Sequence, residues 1–146
     1  MIFNSLRINN YRAYYGESIF DFPTEGERNI SILYADNDVG KSCFFSAVLF
    51  CLYGPKDSDD LKDLINVNAQ AEKSYHTEVS LFVENGQDKI EISRSIDLRG
   101  KLDATPSSKD FKCTLELIKN GVPLSSDEDE KADFIYSLVH EDASQY

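Results

Sequence analysis

The sequence predicts an α/β fold. A short buried strand, a tight glycine-containing loop and a buried helix come first, and a layer of antiparallel hairpin strands packs on that helix. Three observations carry this. Ile30-Ser31-Ile32-Leu33-Tyr34 is a continuous apolar run of strand length, the kind buried on both faces. Ala35-Asp36-Asn37-Asp38-Val39-Gly40-Lys41-Ser42 follows it directly, and a helix-like run from Cys43 to Tyr53 comes next. Farther on, Thr77, Val79, Leu81 and Val83 alternate with polar residues up to Asn85-Gly86, and Ile90, Ile92, Ile96 and Leu98 alternate on the return. That is a hairpin pattern with a type I′ turn signal.

Taken in order, Met1 to Asn9 reads as a strand with Ile2, Leu6 and Ile8 on one face. Asn10 to Gly16 is a turn-rich connection, and Ser18 to Phe22 a second short strand carrying Ile19, Phe20 and Phe22. The helix after the glycine loop holds Phe44, Phe45, Ala47, Val48, Leu49, Phe50 and Leu52. It is apolar nearly all round, so deep burial is expected. Gly54-Pro55 ends it. Asp57 to Glu72 is polar, with a short helix expected at Asp59 to Ile65 and a flexible stretch after it. In the hairpin, Arg94 shares the register of the apolar residues. Phe111, Cys113, Leu115 and Leu117 alternate in another strand, closed by Asn120-Gly121 and a short return. Ser125 to Glu128 has the form of a capping box, and Ala132, Phe134, Ile135, Leu138 and Val139 give the last helix its apolar stripe.

The chain has 146 residues and 41% hydrophobic content, enough for one domain with a core. No apolar run approaches the roughly 20 residues that span a bilayer. The N-terminus lacks the basic start and apolar block of an export signal, so a cytoplasmic location and no membrane partner are expected. Cys43, Cys51 and Cys113 show no metal-ligand spacing and read as reduced core residues. The formal charge is −11, from 26 acids against 15 bases. That balance repels nucleic acid.

Ala35 to Ser42 has the form [G/A]-x-x-x-x-G-K-S, in the strand–loop–helix context the motif needs. This is a P-loop, and it implies a nucleoside triphosphate held by backbone N–H groups and a helix N-terminus. Ala35, Asn37, Asp38, Val39, Gly40, Lys41, Ser42 and Cys43 are the candidate contacts. Gly40 lets the backbone approach without a Cβ in the way. Lys41, the candidate catalytic residue, brings a point charge to the outer phosphates. Ser42 offers a hydroxyl to Mg²⁺, and Asn37 can brace the loop. Ala35 stands where the first Gly is usual, and Asp38 where many such loops carry another Gly. No run of apolar residues ends in Asp-Glu to polarise water, so the loop alone does not name a reaction.

Several pieces together resemble the N-terminal lobe of ABC-type ATPase heads of the SMC-like group, which includes SMC proteins, RecF, RecN and DndD-like ATPases. Leu6-Arg7-Ile8-Asn9-Asn10-Tyr11-Arg12 is similar to that family's first strand. Tyr15-Gly16-Glu17 with Ile19-Phe20-Asp21-Phe22 is similar to its second strand. Leu52-Tyr53-Gly54 and Ile90-Glu91-Ile92-Ser93-Arg94 match later features. The resemblance implies ATP with Mg²⁺, a nucleotide contact from Arg12 and a metal contact near Gln145. It implies one lobe over 1–146, with a strand–loop–helix core at 1–56 and the hairpin and last helix at 74–146. It further implies that the rest of the ATPase lies in a C-terminal lobe. Two heads would form a homodimer around ATP, and DNA would be engaged by the full assembly rather than mainly by this acidic lobe. DNA processing, repair or antiphage defence is the setting expected. The isolated chain should bind nucleotide with little turnover, and exposed edges and apolar surface are expected on it. Two alternatives stay open: another small P-loop NTPase or kinase, and a non-enzymatic interaction domain with a degenerate loop.

Overall fold

The computed structural model describes residues 2–22, 38–57, 59–100, 105–124 and 126–144, without the side chains of 38–41 and 140–144. The predicted strand Ile30–Tyr34 lies outside the described residues. Strands β1 (Ile2–Asn9), β2 (Glu17–Asp21), β3 (His76–Asn85), β4 (Asp88–Leu98), β5 (Phe111–Lys119) and β6 (Val122–Pro123) form one antiparallel sheet ordered β2-β1-β3-β4-β5-β6. Helices α1 (Asp38–Tyr53), α2 (Val67–Ala71) and α3 (Glu128–Ser144) complete the described elements, with a 3-10 turn at Leu61–Leu64 and another at Ser108–Asp110. Because β1 pairs with both β2 and β3, a single sheet runs through the 1–56 and 74–146 parts.

The alternation fixes the sheet's faces. Side chains directly opposite in an antiparallel pair share a face, so Leu6, Leu81, Ile92 and Leu117 form one buried row across four strands. Ile8 and Val79 begin a second row. Helix α1 lies on this face against β3 and β4, adding Phe44, Ala47, Phe50 and Cys51 to the core. Phe20 and Phe22 meet Phe44 edge-on, with centroids 5.1 and 6.4 Å apart, and so carry β2 onto the helix.

Several local expectations are corrected. Ile2 is 50% exposed, because a register shift between Phe3 and Ser5 puts Phe3, not Ile2, opposite Val83 on the core face. Helix α1 starts at Asp38, so Gly40-Lys41-Ser42 belongs to the helix itself. Its burial is one-sided: Phe45, Leu49 and Tyr53 stay exposed, since the sheet covers only one side of a helix that is apolar all round. The hairpin turn sits one residue later, at Gly86-Gln87 between paired Asn85 and Asp88. Positive φ occurs at Gly86 (66°) and not at Gln87, the II′ pattern rather than I′. The I′ pattern belongs to Asn120 and Gly121, with φ of 52° and 84°.

In α3 the cap is Asp127, whose carboxylate accepts from the N–H groups of Asp129 and Glu130 at 2.8 and 3.2 Å. Ser125 lies outside the described residues. Ala132 is exposed and Lys131 takes the buried place, where its ammonium donates to the Leu115 carbonyl at 2.6 Å and to Glu128 at 3.2 Å. The stretch after the 3-10 turn, expected to be flexible, folds into α2.

Candidate nucleotide-binding site

The candidate site lies at the N-terminal end of α1. A helix start leaves N–H groups without intrahelical partners and carries the positive end of the macrodipole. Asp38, Val39, Gly40 and Lys41 form the first turn of this sixteen-residue helix. Ser42 follows with an exposed side chain, whereas Cys43 is buried and offers the site only its backbone. Ala35, Asn37 and Gln145 lie outside the described residues. The described groups that could meet phosphate and metal are thus the Ser42 hydroxyl and the first-turn backbone amides, a set that suits MgATP; the Lys41 side chain lies outside the described atoms. Among the described residues, no group of three or more His, Cys, Asp or Glu could hold a metal by itself.

Arg12 reaches the same helix from the β1–β2 connection. Its Nη1 donates to Ser46 Oγ at 3.2 Å. Ser46 is four residues from Ser42, hence on the same helix face about 5–6 Å away. The Tyr11 hydroxyl also meets Ser46 Oγ, at 2.8 Å. Tyr11 itself is buried with its ring 5.3 Å from that of Phe50. Burial pushes its phenol above the ordinary value, against the Ser46 hydrogen bond and the Arg12 charge, which act the other way. Tyr11 therefore stays protonated as a fixed polar bracket between strand and helix.

The segment carrying Arg12 is tightly held. Arg12 has φ of 48° and Asn10 of 52°, left-handed conformations that non-glycine residues adopt at a cost. The Arg12 N–H donates to the Leu64 carbonyl at 3.0 Å. The Arg12 carbonyl accepts from Asn66 Nδ2 at 2.8 Å, and the Asn66 N–H donates to the Asn10 carbonyl at 2.9 Å. Asn66 Oδ1 caps α2 by accepting from Asn68 and Ala69. The Tyr15 hydroxyl donates to Glu72 at the far end of α2.

At the opposite end of α1, Gly54 adopts φ of 83° and its N–H donates to the Phe50 carbonyl at 2.8 Å. Arg94 Nε and Nη2 donate to the carbonyls of Cys51 and Leu52 at 3.2 and 3.4 Å. A cation at the negative end of the helix is favourable, which explains a charged residue in an apolar register. The helix bearing the loop is therefore fixed at both ends.

A family model described as an AAA domain matches residues 5–145. The chain belongs to the AAA domain family. Membership gives this AAA domain a P-loop fold and an ATPase-family, nucleotide-binding role, with ATP and Mg²⁺ the ligands general to the family. An uncharacterised protein (R555) of Acanthamoeba polyphaga mimivirus is similar, with 30% identity over 86 residues. The match covers 59% of this chain and 6% of the relative, so the AAA domain spans a small part of that protein. Among the described residues no helix is long and apolar enough to cross a membrane.

Sequence reasoning singled out Arg12, Lys41 and Ser42 but missed Ser46 and Asn66. Ser46 was legible as the lone polar residue within Cys43 to Tyr53, one turn from Ser42. Asn66 was legible as an N-cap residue before Val67-Asn68-Ala69.

Proposed function

We propose that this AAA domain is the ATP-binding N-terminal portion of an SMC-like ATPase of the RecF, RecN and DndD-like group, acting in DNA processing, repair or antiphage defence. The observation that carries the reading is Arg12 fastened to Ser46, one helical turn beyond the G-K-S residues that open α1. Arg12 is thereby fixed to the helix face that also carries Ser42, and Lys41 belongs to the first turn of the same helix. Lys41 binds the outer phosphates, the first-turn N–H groups donate to phosphate oxygens, and Arg12 orients the nucleotide from the side. Ser42 holds the metal, with Gln145 as the second candidate. When bound, Mg²⁺ supplies charge neutralisation between phosphate oxygens. Positioning and charge are the whole contribution of these residues. Hydrolysis requires a C-terminal lobe, and nucleotide binding joins two heads as a homodimer; DNA is met mainly by other surfaces, because this lobe carries a net charge of −11.

Titration of MgATP and MgGTP into the wild type and Lys41→Ala, with phosphate release measured in parallel, tests the reading. MgATP binding, at least tenfold weaker in Lys41→Ala (about 1.4 kcal/mol) and with little turnover, is expected. Substantial turnover by the isolated chain would mean another small P-loop NTPase or kinase. No binding of either nucleotide would mean an interaction domain in which Ala35 and Asp38 have ended the site's use.

A further inference from the structure

We propose that Asn66 is a positioning residue for the nucleotide site. Its side-chain amide locks Arg12 in the left-handed conformation that aims the guanidinium at α1. The inference rests on the nucleotide reading above and adds a residue outside the P-loop to it.

Asn66 is only 3% exposed and uses both ends of its amide. The orientation follows from its partners. The N–H groups of Asn68 and Ala69, at 2.9 and 3.2 Å, require an acceptor, and the Arg12 carbonyl at 2.8 Å requires a donor. The cap of α2 needs only the oxygen. The Nδ2 group is therefore left for Arg12, 54 residues away in sequence. Together with Asn66 N–H to Asn10 and Arg12 N–H to Leu64, it makes three bonds between the 10–12 and 64–66 segments. A non-glycine residue at φ of 48° persists where its surroundings over-determine it. Here the hydrogen bonds on both sides of Arg12 do so. Without the Nδ2 donor, the Arg12 carbonyl would lose its partner and the backbone could relax to negative φ. That rotation would swing the side chain off Ser46 and away from the helix start.

A double-mutant cycle on MgATP affinity separates positioning from plain helix capping. Asn66→Ser keeps a capping hydroxyl for α2 but is too short to reach the Arg12 carbonyl. It should weaken MgATP binding roughly five- to tenfold while the protein stays folded at the assay temperature by circular dichroism. In an Arg12→Ala background it should add nothing. Wild-type affinity in Asn66→Ser, or losses that simply multiply in the double variant, would overturn the proposal. Should Asn66→Ser fail to fold, Asn66→Asp serves instead. It retains the acceptors for α2 and sets a carboxylate oxygen against the Arg12 carbonyl, so its effect should be at least as large and equally absent without Arg12. Binding lost in Lys41→Ala but untouched by Arg12→Ala would leave the nucleotide reading standing and remove the role of Asn66. No MgATP binding by the wild type would instead remove the reading itself.

Discussion

Cys51 sits fully buried between α1 and the sheet, its thiol within 3.1 Å of the Ile92 carbonyl and 3.4 Å of the Val79 carbonyl. Burial pushes it from an ordinary value of 9.0 up to about 12. The thiol is neutral in the native protein at pH values where the unfolded chain would already carry a thiolate. The folded pKa is raised, so its contribution is complete below pH 9 and is lost as pH climbs toward 12. Urea midpoints at pH 8, 9 and 10 should fall in the wild type, with a slope reaching about 1.4 kcal/mol per pH unit from this group. Cys51→Ala should be less stable at pH 8 but show a flatter decline. An unchanged slope in the variant would assign the alkaline loss elsewhere, Tyr11 first. That Cys43 and Cys51 are reduced core residues could be read from spacing and composition. The role of Arg94 could not, because a lone charge in an apolar register becomes intelligible only once the α1 carbonyls stand opposite it.

Helix α1 shows what one element needs from its neighbours. Its C-terminal end combines Gly54 at φ of 83° with the Arg94 guanidinium, and a Cβ on Gly54 would lie 3.1 Å from Arg94 Nη1. Gly54→Ala therefore meets both backbone strain and a close contact, and should cost about 1–2 kcal/mol. Thermal melts would show this, and in an Arg94→Met background the steric part of the loss should disappear. The strands were legible wherever strict alternation met a turn dipeptide: Thr77, Val79, Leu81 and Val83 are all buried as their period predicts. The misses have local causes. The irregularity around Asn4 reverses the parity of β1. Helix α2 escapes a periodicity search because five residues are too few to show a stripe, and a single asparagine starts it.

At the scale of the whole molecule, the face of α1 carrying Phe45, Leu49 and Tyr53 remains uncovered, 52–62% exposed. The residues sit four apart, so they form one stripe, and a helix apolar on every side is normally an interior element. The chain should accordingly self-associate with rising concentration. Leu49→Lys should shift sedimentation toward the monomer and alter stability by less than about 0.5 kcal/mol; oligomers unaffected by that change would move attention to the exposed strands β2 and β6. The apolar character of α1 was legible in the sequence, but which half the sheet leaves bare was not, because that depends on pairing across the chain. The same pairing orders events in time. Strand β1 is stitched to β3 across 73 residues, as at Arg7 and Ser80, whereas β3 and β4 close over two residues. The hairpin can therefore zip within microseconds once both its strands are available, while β1, which can meet β2 locally, must wait for β3 to fill its other edge. The seam between β1 and β3 is thus among the last parts of the sheet to close.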